Sequence, residues 1–152
     1  MTRVLKQQRS VLMLRDTYYM NEIIPGLFLG GFLSTADKEG LAEHEIKTVL
    51  GLGLNSEYIK EPDYKKMHID IEDKVECSIL EHLGPASDFI ERGMQDEGNV
   101  LVHCWAGISR SASCVIAYLM KYKGLSLADA TNLARERRKQ VCPNSQFCKD
   151  LE

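Results

Sequence analysis

Residues 100–113 read VLVHCWAGISRSAS, a stretch in which a cysteine stands between two apolar segments. Asn99 to His103 is apolar on consecutive residues, which predicts a strand covered on both faces. Ser111 to Lys123 is almost wholly apolar at helical length and is followed by Gly124, which predicts a helix and its end. Cys104 is therefore expected in a short loop between a buried strand and a helix N-terminus.

A loop in that place is suited to holding an anion. The first N–H groups of a helix lack partners and carry a partial positive charge, and Gly107 lets the backbone approach an anion closely. Arg110 adds a planar fork matched to two phosphate oxygens. The same positive field favours the thiolate of Cys104, and Ser111 is a candidate hydrogen-bond donor to that sulfur. The stretch predicts a phosphate cradle above an activated nucleophile.

Strand and helix patterns alternate along the rest of the chain. Further strands are predicted in NEIIPGLFLGG (two, around the Pro25–Gly26 turn), KTVLGLG and YKKMHIDI. Further helices are predicted from Ser34 or Thr35 to about Glu45, from about Ser78 to Met94, and over LADATNLARERRK with Ser126 as its cap. Such alternation predicts an α/β sheet covered by helices.

Composition sets the class of protein. The chain has 152 residues, of which 44% are apolar and 27% charged, with a net charge of −3. These values indicate a globular protein and give no general reason to expect nucleic acid. We expect a mobile arm or added helix over 1–20 and one domain over 21–152, without a secretory leader or a membrane helix. Five cysteines without regular spacing favour a reducing, cytoplasmic compartment.

With these residues in view, the sequence resembles a known family. HCWAGISRS (103–111) matches the signature loop of cysteine-dependent protein phosphatases, H-C-x2-G-x2-R-S/T, and AGISRSA with AYLM is similar to the dual-specificity form. NEIIPGLFLGG resembles the opening hairpin of that family and VCPNSQF its closing segment, so the resemblance covers roughly residues 21–151. It implies a central mixed, largely parallel twisted sheet of about five strands. Because no rhodanese-like domain precedes it, we expect a small, stand-alone member.

The resemblance also implies a general acid on a loop about thirty residues before the cysteine. HIDIEDKVEC offers Asp70, Glu72 and Asp73. Asp70 belongs to the alternating strand pattern, whereas Asp73 falls where the strand should give way to a loop, so Asp73 is the preferred acid and the other two stay open. His103 either orients the loop or titrates in catalysis. No metal or cofactor is expected, because the amides and Arg110 supply the positive charge.

The residues of the signature loop favour one class of substrate over others. The variable positions Trp105, Ala106, Ile108 and Ser109 are uncharged, whereas phosphoinositide phosphatases with this signature tend to place lysines there. We therefore expect a phosphorylated protein substrate carrying phosphotyrosine, phosphothreonine or phosphoserine. The alternatives are a phosphoprotein-binding pseudophosphatase and a phosphatase for lipid, RNA or glucan phosphate. Trp105 either packs against a neighbouring loop or contacts the substrate peptide.

The sequence leaves more than one possible role for two segments and for the four cysteines other than Cys104. RERRK (135–139) is a nuclear signal, a docking patch or a solvated helix end, and by the resemblance Arg138 holds a second phosphate. KQQRSVLML in the arm has the form of a docking peptide for MAP kinases. Cys114 is expected in the core, while Cys77, Cys142 and Cys148 lack zinc-site spacing and are candidates to trap oxidised Cys104. The oligomeric state is not indicated.

Overall fold

The computed structural model describes residues 19–53 and 63–152, within which strands and helices alternate. The strands are β1 (Met20–Ile24), β2 (Leu27–Gly30), β3 (Ile46–Leu52), β4 (Lys65–Ile69) and β5 (Asn99–His103). The helices are α1 (Leu33–Ala36), α2 (Lys38–Glu43), α3 (Leu80–Gln95), α4 (Arg110–Lys123), α5 (Leu127–Arg137) and α6 (Ser145–Leu151). The predicted arm lies almost wholly outside the described residues.

The strands form one sheet in the order β1-β2-β5-β3-β4. β1 is antiparallel to β2, and β2, β5, β3 and β4 are parallel to one another, which confirms the predicted mixed, largely parallel five-stranded sheet. The carboxyl ends of parallel strands meet at one edge, so the segments that follow Gly30, Leu52, Ile69 and His103 share that edge. This is the edge at which open α/β sheets bind ligands.

The two faces of the sheet bury separate apolar clusters. On β5, Val100 and Val102 point into the larger cluster, which α3, α4, α5 and α6 complete. Leu101 points into the smaller cluster with Leu41 of α2. Burial on both faces explains why β5 reads as a continuous apolar run. Because α4 packs beneath β5 and between other helices, its first turn is held firmly at the carboxyl edge.

The helices differ in part from what the sequence predicted. The predicted helix from Ser34 or Thr35 is divided into α1 and α2, and Asp37 caps α2 by accepting from the Gly40 N–H at 3.0 Å. The hydroxyls of Ser34 and Thr35 donate to backbone carbonyls three residues earlier, and this local bonding replaces the predicted cap. Helix α6 was not predicted. The predicted Ser126 cap of α5 is confirmed by its bond from the Asp129 N–H.

Helix α6 also supports the start of α3. The carboxylate of Asp150 in α6 accepts from the Ile79 N–H at 2.8 Å and from the Ser78 hydroxyl at 3.0 Å. These contacts supply the N-terminal cap that no side chain of α3 itself provides. In the two described ranges, no helix combines the length and the apolar character that crossing a bilayer requires.

Candidate active site

Cys104 is the first residue after β5 and is 3% exposed. Its Sγ lies 3.0 Å from the hydroxyl oxygen of Ser111, in the first turn of α4. The backbone N–H of Gly107 also donates to Sγ, at 3.2 Å. When the sulfur is a thiolate it can only accept, so the hydroxyl of Ser111 then donates to it. The predicted contact between Ser111 and the nucleophile is therefore present in the structure.

The loop between Cys104 and α4 turns its carbonyl groups outward. Four consecutive carbonyl oxygens each accept a hydrogen bond from outside the loop: Trp105 from Phe32 N at 3.0 Å, Ala106 from Arg138 Nη2 at 2.9 Å, Gly107 from Arg138 Nε at 2.9 Å, and Ile108 from Cys142 N at 2.8 Å. The loop is therefore held from three sides: by the segment that follows β2, by the end of α5 and by the segment that precedes α6.

The N–H groups of the loop consequently face its centre. In a trans peptide unit, the carbonyl and the following N–H point in opposite directions. Outward carbonyls at residues 105–108 therefore direct the N–H groups of residues 106–109 inward. The bond from the Gly107 N–H to the sulfur of Cys104 is direct evidence of this direction. The result is a concave set of donors around Sγ, which suits a tetrahedral oxyanion.

Arg110 begins α4 and brings a guanidinium to the same edge. Its Nη1 donates to the carbonyl of Ile71 at 3.2 Å, and its Nε is buried without a partner among the described residues. Gly53, which follows β3, makes room for this group: its φ is +131°, and a Cβ there would lie 2.8 Å from Nη1. A buried donor is stabilised by an acceptor, so this Nε is suited to donate to an anion bound in the cradle.

Arg138 lies beneath the loop and is 1% exposed. Besides its two bonds to the loop carbonyls, Nη1 donates to the Tyr19 carbonyl at 3.0 Å and to Asn21 Oδ1 at 2.8 Å. A buried guanidinium with these partners does not face a substrate. This position contradicts the prediction that Arg138 holds a second phosphate, and it removes one cation from the exposed RERRK cluster.

The three candidate acids follow β4 but differ in their contacts. Asp70 lies just beyond β4 rather than within it, and its Oδ1 is 2.6 Å from His68 Nε2. Glu72 forms an ion pair with Lys74 at 2.7 Å. Asp73 is exposed, and its Oδ1 accepts from the side-chain amide of Asn144 at 2.9 Å. Asp73 is thus hydrogen-bonded to the segment that also contacts the signature loop.

His103 is buried at the end of β5, directly before the nucleophile. Burial lowers its pKa from 6.5 to about 4, although a hydrogen bond with the backbone of Cys104 opposes this shift. The imidazole is therefore neutral at physiological pH. This state favours the interpretation that His103 orients the loop, because a proton carrier would need to titrate nearer to neutral pH.

Trp105 packs against a neighbouring segment, the first of the two alternatives that its position in the sequence left open, and it is also exposed. Its ring stacks on Phe32 with a centroid distance of 4.1 Å and an interplanar angle of 12°, yet the residue is 54% exposed. One face of the indole is therefore packed while other parts remain open to solvent. The pair forms an aromatic surface beside the loop.

The cysteines other than Cys104 are free thiols in the structure. Cys114 is fully buried in α4, which confirms its predicted place in the core, and burial raises the pKa of its thiol. Cys142 and Cys148 are exposed, and Cys77 is partly buried. Across residues 19–53 and 63–152, no three His, Cys, Asp or Glu side chains are grouped so as to hold a metal ion.

Two residues of the site were not identified from the sequence. Gly53 ends the segment KTVLGLG, where a glycine after a buried strand was the available signal for a close approach. Asn144 follows Pro143 and caps α6, and a Pro-Asn pair before a short apolar pattern was the available signal for a helix start. Neither signal indicates the distant partner, which only the tertiary arrangement provides.

Comparison with known proteins identifies the class. Residues 27–152 match the family model described as dual specificity phosphatase, catalytic domain. The chain therefore belongs to the dual specificity phosphatase family, as its signature loop indicated.

Individual relatives agree with this family. Dual specificity protein phosphatase Mpk3 of Drosophila melanogaster is 41% identical over 133 residues, which are 86% of this chain and 32% of the relative. The chain thus spans about a third of that protein's length. The crystal structure of human DUSP28 superposes with a TM-score of 0.83 and 29% identity, covering 87% of this chain and 89% of that one.

A further structural neighbour has a name that does not describe a phosphatase activity. Human tyrosine phosphatase-like serine/threonine/tyrosine-interacting protein superposes with a TM-score of 0.79 and 37% identity, covering 88% of this chain and 93% of that one. The same fold therefore occurs in a protein named for an interaction.

Proposed function

We propose that this chain is a dual-specificity protein phosphatase that hydrolyses phosphotyrosine and phosphoserine or phosphothreonine through a phosphocysteine intermediate. One observation carries the proposal. The four outward carbonyls of the loop direct the N–H groups of residues 106–109 toward a point above Cys104 Sγ. A phosphoryl group at that point has a nucleophile below it and donors around its equatorial oxygens.

In the first step, the thiolate of Cys104 attacks phosphorus in line with the ester oxygen. The S–P bond forms as the P–O bond breaks, and the electron pair of that bond moves to the departing oxygen. Arg110 and the loop amides stabilise the charge on the equatorial oxygens, with the unpaired Nε of Arg110 as one donor. Asp73 gives its proton to the departing oxygen, which an alcohol leaving group such as serine needs most.

In the second step, water attacks the phosphorus of phosphocysteine. Asp73, now ionised, accepts a proton from the water, and the S–P bond breaks to release phosphate and the thiolate of Cys104. The hydroxyl of Ser111, 3.0 Å from Sγ, stabilises the thiolate as it leaves. His103, neutral and buried, maintains the end of β5 and takes no proton in either step.

The chemistry of the cradle supports a protein substrate. Trp105, Ala106, Ile108 and Ser109 bring no charge to the site, and Arg138 lies below the loop instead of beside the substrate. A ligand with several phosphates, such as an inositol lipid or the end of an RNA, would leave its further charges without cations there. The exposed aromatic surface of Trp105 and Phe32 suits the apolar part of a peptide.

A MAP kinase is our proposed substrate protein, supported by the basic residues and Leu12-x-Leu14 in KQQRSVLML. That segment lies outside the described residues, so its sequence alone supports the proposed substrate.

The cytoplasm is the proposed compartment, supported by five free thiols, which a reducing environment preserves. We also propose that a fraction of the protein is nuclear, because the RERRK cluster has the composition of a nuclear signal. Arg138 within this cluster is buried.

The first test is hydrolysis of p-nitrophenyl phosphate in EDTA by the wild-type chain and by Cys104→Ser. Turnover that the variant loses supports the cysteine mechanism. A folded wild-type protein without turnover between about pH 5 and pH 8 contradicts it and favours a phosphoprotein-binding role. Phosphopeptides, inositol phosphates, RNA 5′-triphosphate and phosphorylated glucan, compared at equal concentration, then determine the substrate class.

A further inference from the structure

Asn144 connects three separate parts of the site. Its backbone N–H donates to the hydroxyl oxygen of Ser109 in the signature loop, at 2.9 Å. Its side-chain Oδ1 accepts from the Phe147 N–H in the first turn of α6, also at 2.9 Å. Its Nδ2 donates to Oδ1 of Asp73, the candidate general acid, at 2.9 Å. A single residue therefore joins the phosphate loop, the acid loop and a helix of the core.

The contact with Phe147 fixes which end of the amide faces Asp73. A backbone N–H can only donate, so the oxygen of the Asn144 side chain must face it and the NH2 group must face the carboxyl. An NH2 group can donate both to a carboxylate oxygen and to the carbonyl oxygen of a protonated carboxyl group. The bond to Asp73 is therefore compatible with both protonation states that catalysis requires.

We propose that Asn144 is a positioning residue for the general acid, an inference that rests on the proposed function and on Asp73 as the acid. Because Oδ1 of Asp73 accepts from Asn144, the proposal places the proton to be transferred on the other carboxyl oxygen, Oδ2. The Ser109 bond sets this carboxyl group in register with the phosphate that the loop holds.

The position of Asp73 explains why such a residue is needed. The carboxyl is exposed, and the neighbouring Glu72 and Lys74 pair with each other on the surface. The end of the loop is tied to α6 through Asp150, which binds Ser78 and Ile79. Asn144 lies one residue before the same helix, so α6 holds the acid loop near both its middle and its end.

The test removes the amide but keeps the helix cap. Asn144→Ser retains a good N-cap for α6 and the backbone N–H to Ser109, while the donor to Asp73 is lost. Asn132→Ser is the matched control, because it makes the same change at an exposed position of α5. Asn144→Asp is the second variant, since aspartate also caps a helix but presents a carboxylate to Asp73. Circular dichroism confirms folding in each case.

The readout is kcat/KM for phenyl phosphate and for p-nitrophenyl phosphate. Phenol, like the tyrosine side chain, has a pKa of about 10 and needs protonation as it leaves, whereas p-nitrophenolate needs far less help. Asn144→Ser should lose roughly tenfold or more on phenyl phosphate and much less on p-nitrophenyl phosphate, because a misplaced acid costs rate only where the proton matters. Asn144→Asp should show the same selectivity, and Asn132→Ser should match the wild type.

A double variant separates positioning from general structural damage. In an Asp73→Asn background, Asn144→Ser should cause no further loss on phenyl phosphate, because the two residues act through one proton transfer. Equal losses on both esters, or additive losses in the double variant, would overturn the positioning role while leaving the proposed function intact. A wild-type protein inert toward both esters would overturn the proposed function, and the positioning role with it.

Discussion

Gly107 and Gly30 lie so close together that a Cβ added to Gly107 would come within 2.6 Å of the carbonyl carbon and oxygen of Gly30. The same atom would lie 2.7 Å from Nη2 of Arg138. The φ of Gly107 is +67°, a conformation that residues with side chains adopt at a cost. The signature loop therefore depends on β2 and Arg138 for its shape as well as on the two elements that it joins.

Gly107→Ala should damage both stability and activity, and Gly124→Ala provides a matched control. Both glycines have a φ of +67°, but a Cβ at Gly124 would meet nothing within 4 Å. Urea denaturation should show a loss of about 1–2 kcal/mol in unfolding free energy for Gly124→Ala, from backbone strain alone. Gly107→Ala should lose more, and its p-nitrophenyl phosphate hydrolysis should fall by roughly 100-fold as the donors move. Similar losses in the two variants would contradict this account of the loop.

Arg138→Met should lower the unfolding free energy by about 2–4 kcal/mol, because four acceptors in buried or partly buried contacts would lose a charged donor. Arg138→Lys should recover little of it, since an ammonium group cannot reproduce the planar fork. Urea denaturation measures both, with Lys139→Met as the control at the exposed neighbouring position. A higher KM with unchanged stability would instead restore Arg138 to the predicted role of binding phosphate.

The local features of the site were predictable from sequence because local signals carry them. β5 has the bounds that its apolar run predicts, and α4 begins one residue before the predicted Ser111 and ends at the predicted Lys123. The proximity of Cys104, Gly107 and Ser111 follows from a short loop between these elements. The mixed, largely parallel character of the sheet followed from the family resemblance, whereas the order of its strands was not predicted.

The supporting contacts were not predictable, because they join residues distant in sequence. Arg138 binds the Tyr19 carbonyl 119 residues away, and Asn144 binds Asp73 71 residues away. Arg138 lies at the end of a helical pattern and Asn144 follows a proline. Both patterns are also typical of solvent-exposed segments without a functional role. The resemblance placed Arg138 beside the substrate, whereas packing of the end of α5 against β1 and the loop places its guanidinium below the site.

Ser111→Ala should slow the second chemical step more than the first. The hydroxyl lies 3.0 Å from Sγ and stabilises a thiolate, and the thiolate is the leaving group only when phosphocysteine is hydrolysed. Rapid mixing with p-nitrophenyl phosphate should therefore show a burst of p-nitrophenol followed by a steady rate reduced by roughly tenfold or more. Ser87→Ala is the control, because this buried hydroxyl donates to the Leu83 carbonyl within α3. The absence of a burst, with the steady rate still reduced, would place the loss in the first step and assign Ser111 to nucleophile activation.

His103 should make the protein less stable in mild acid. Its pKa is lowered by burial from 6.5 to about 4, so between these values the unfolded chain binds a proton that the folded chain does not. Unfolding free energy should fall as the pH decreases through this window, by roughly 3 kcal/mol in total from this residue. His103→Gln cannot titrate, so its difference in unfolding free energy between about pH 7 and about pH 4.5 should be smaller than that of the wild type. Urea denaturation at the two pH values measures this difference within each protein, which cancels any constant loss from the substitution. An equal pH dependence in both proteins would mean that the imidazole gains its proton without unfolding, and His103 would then be available to titrate during catalysis.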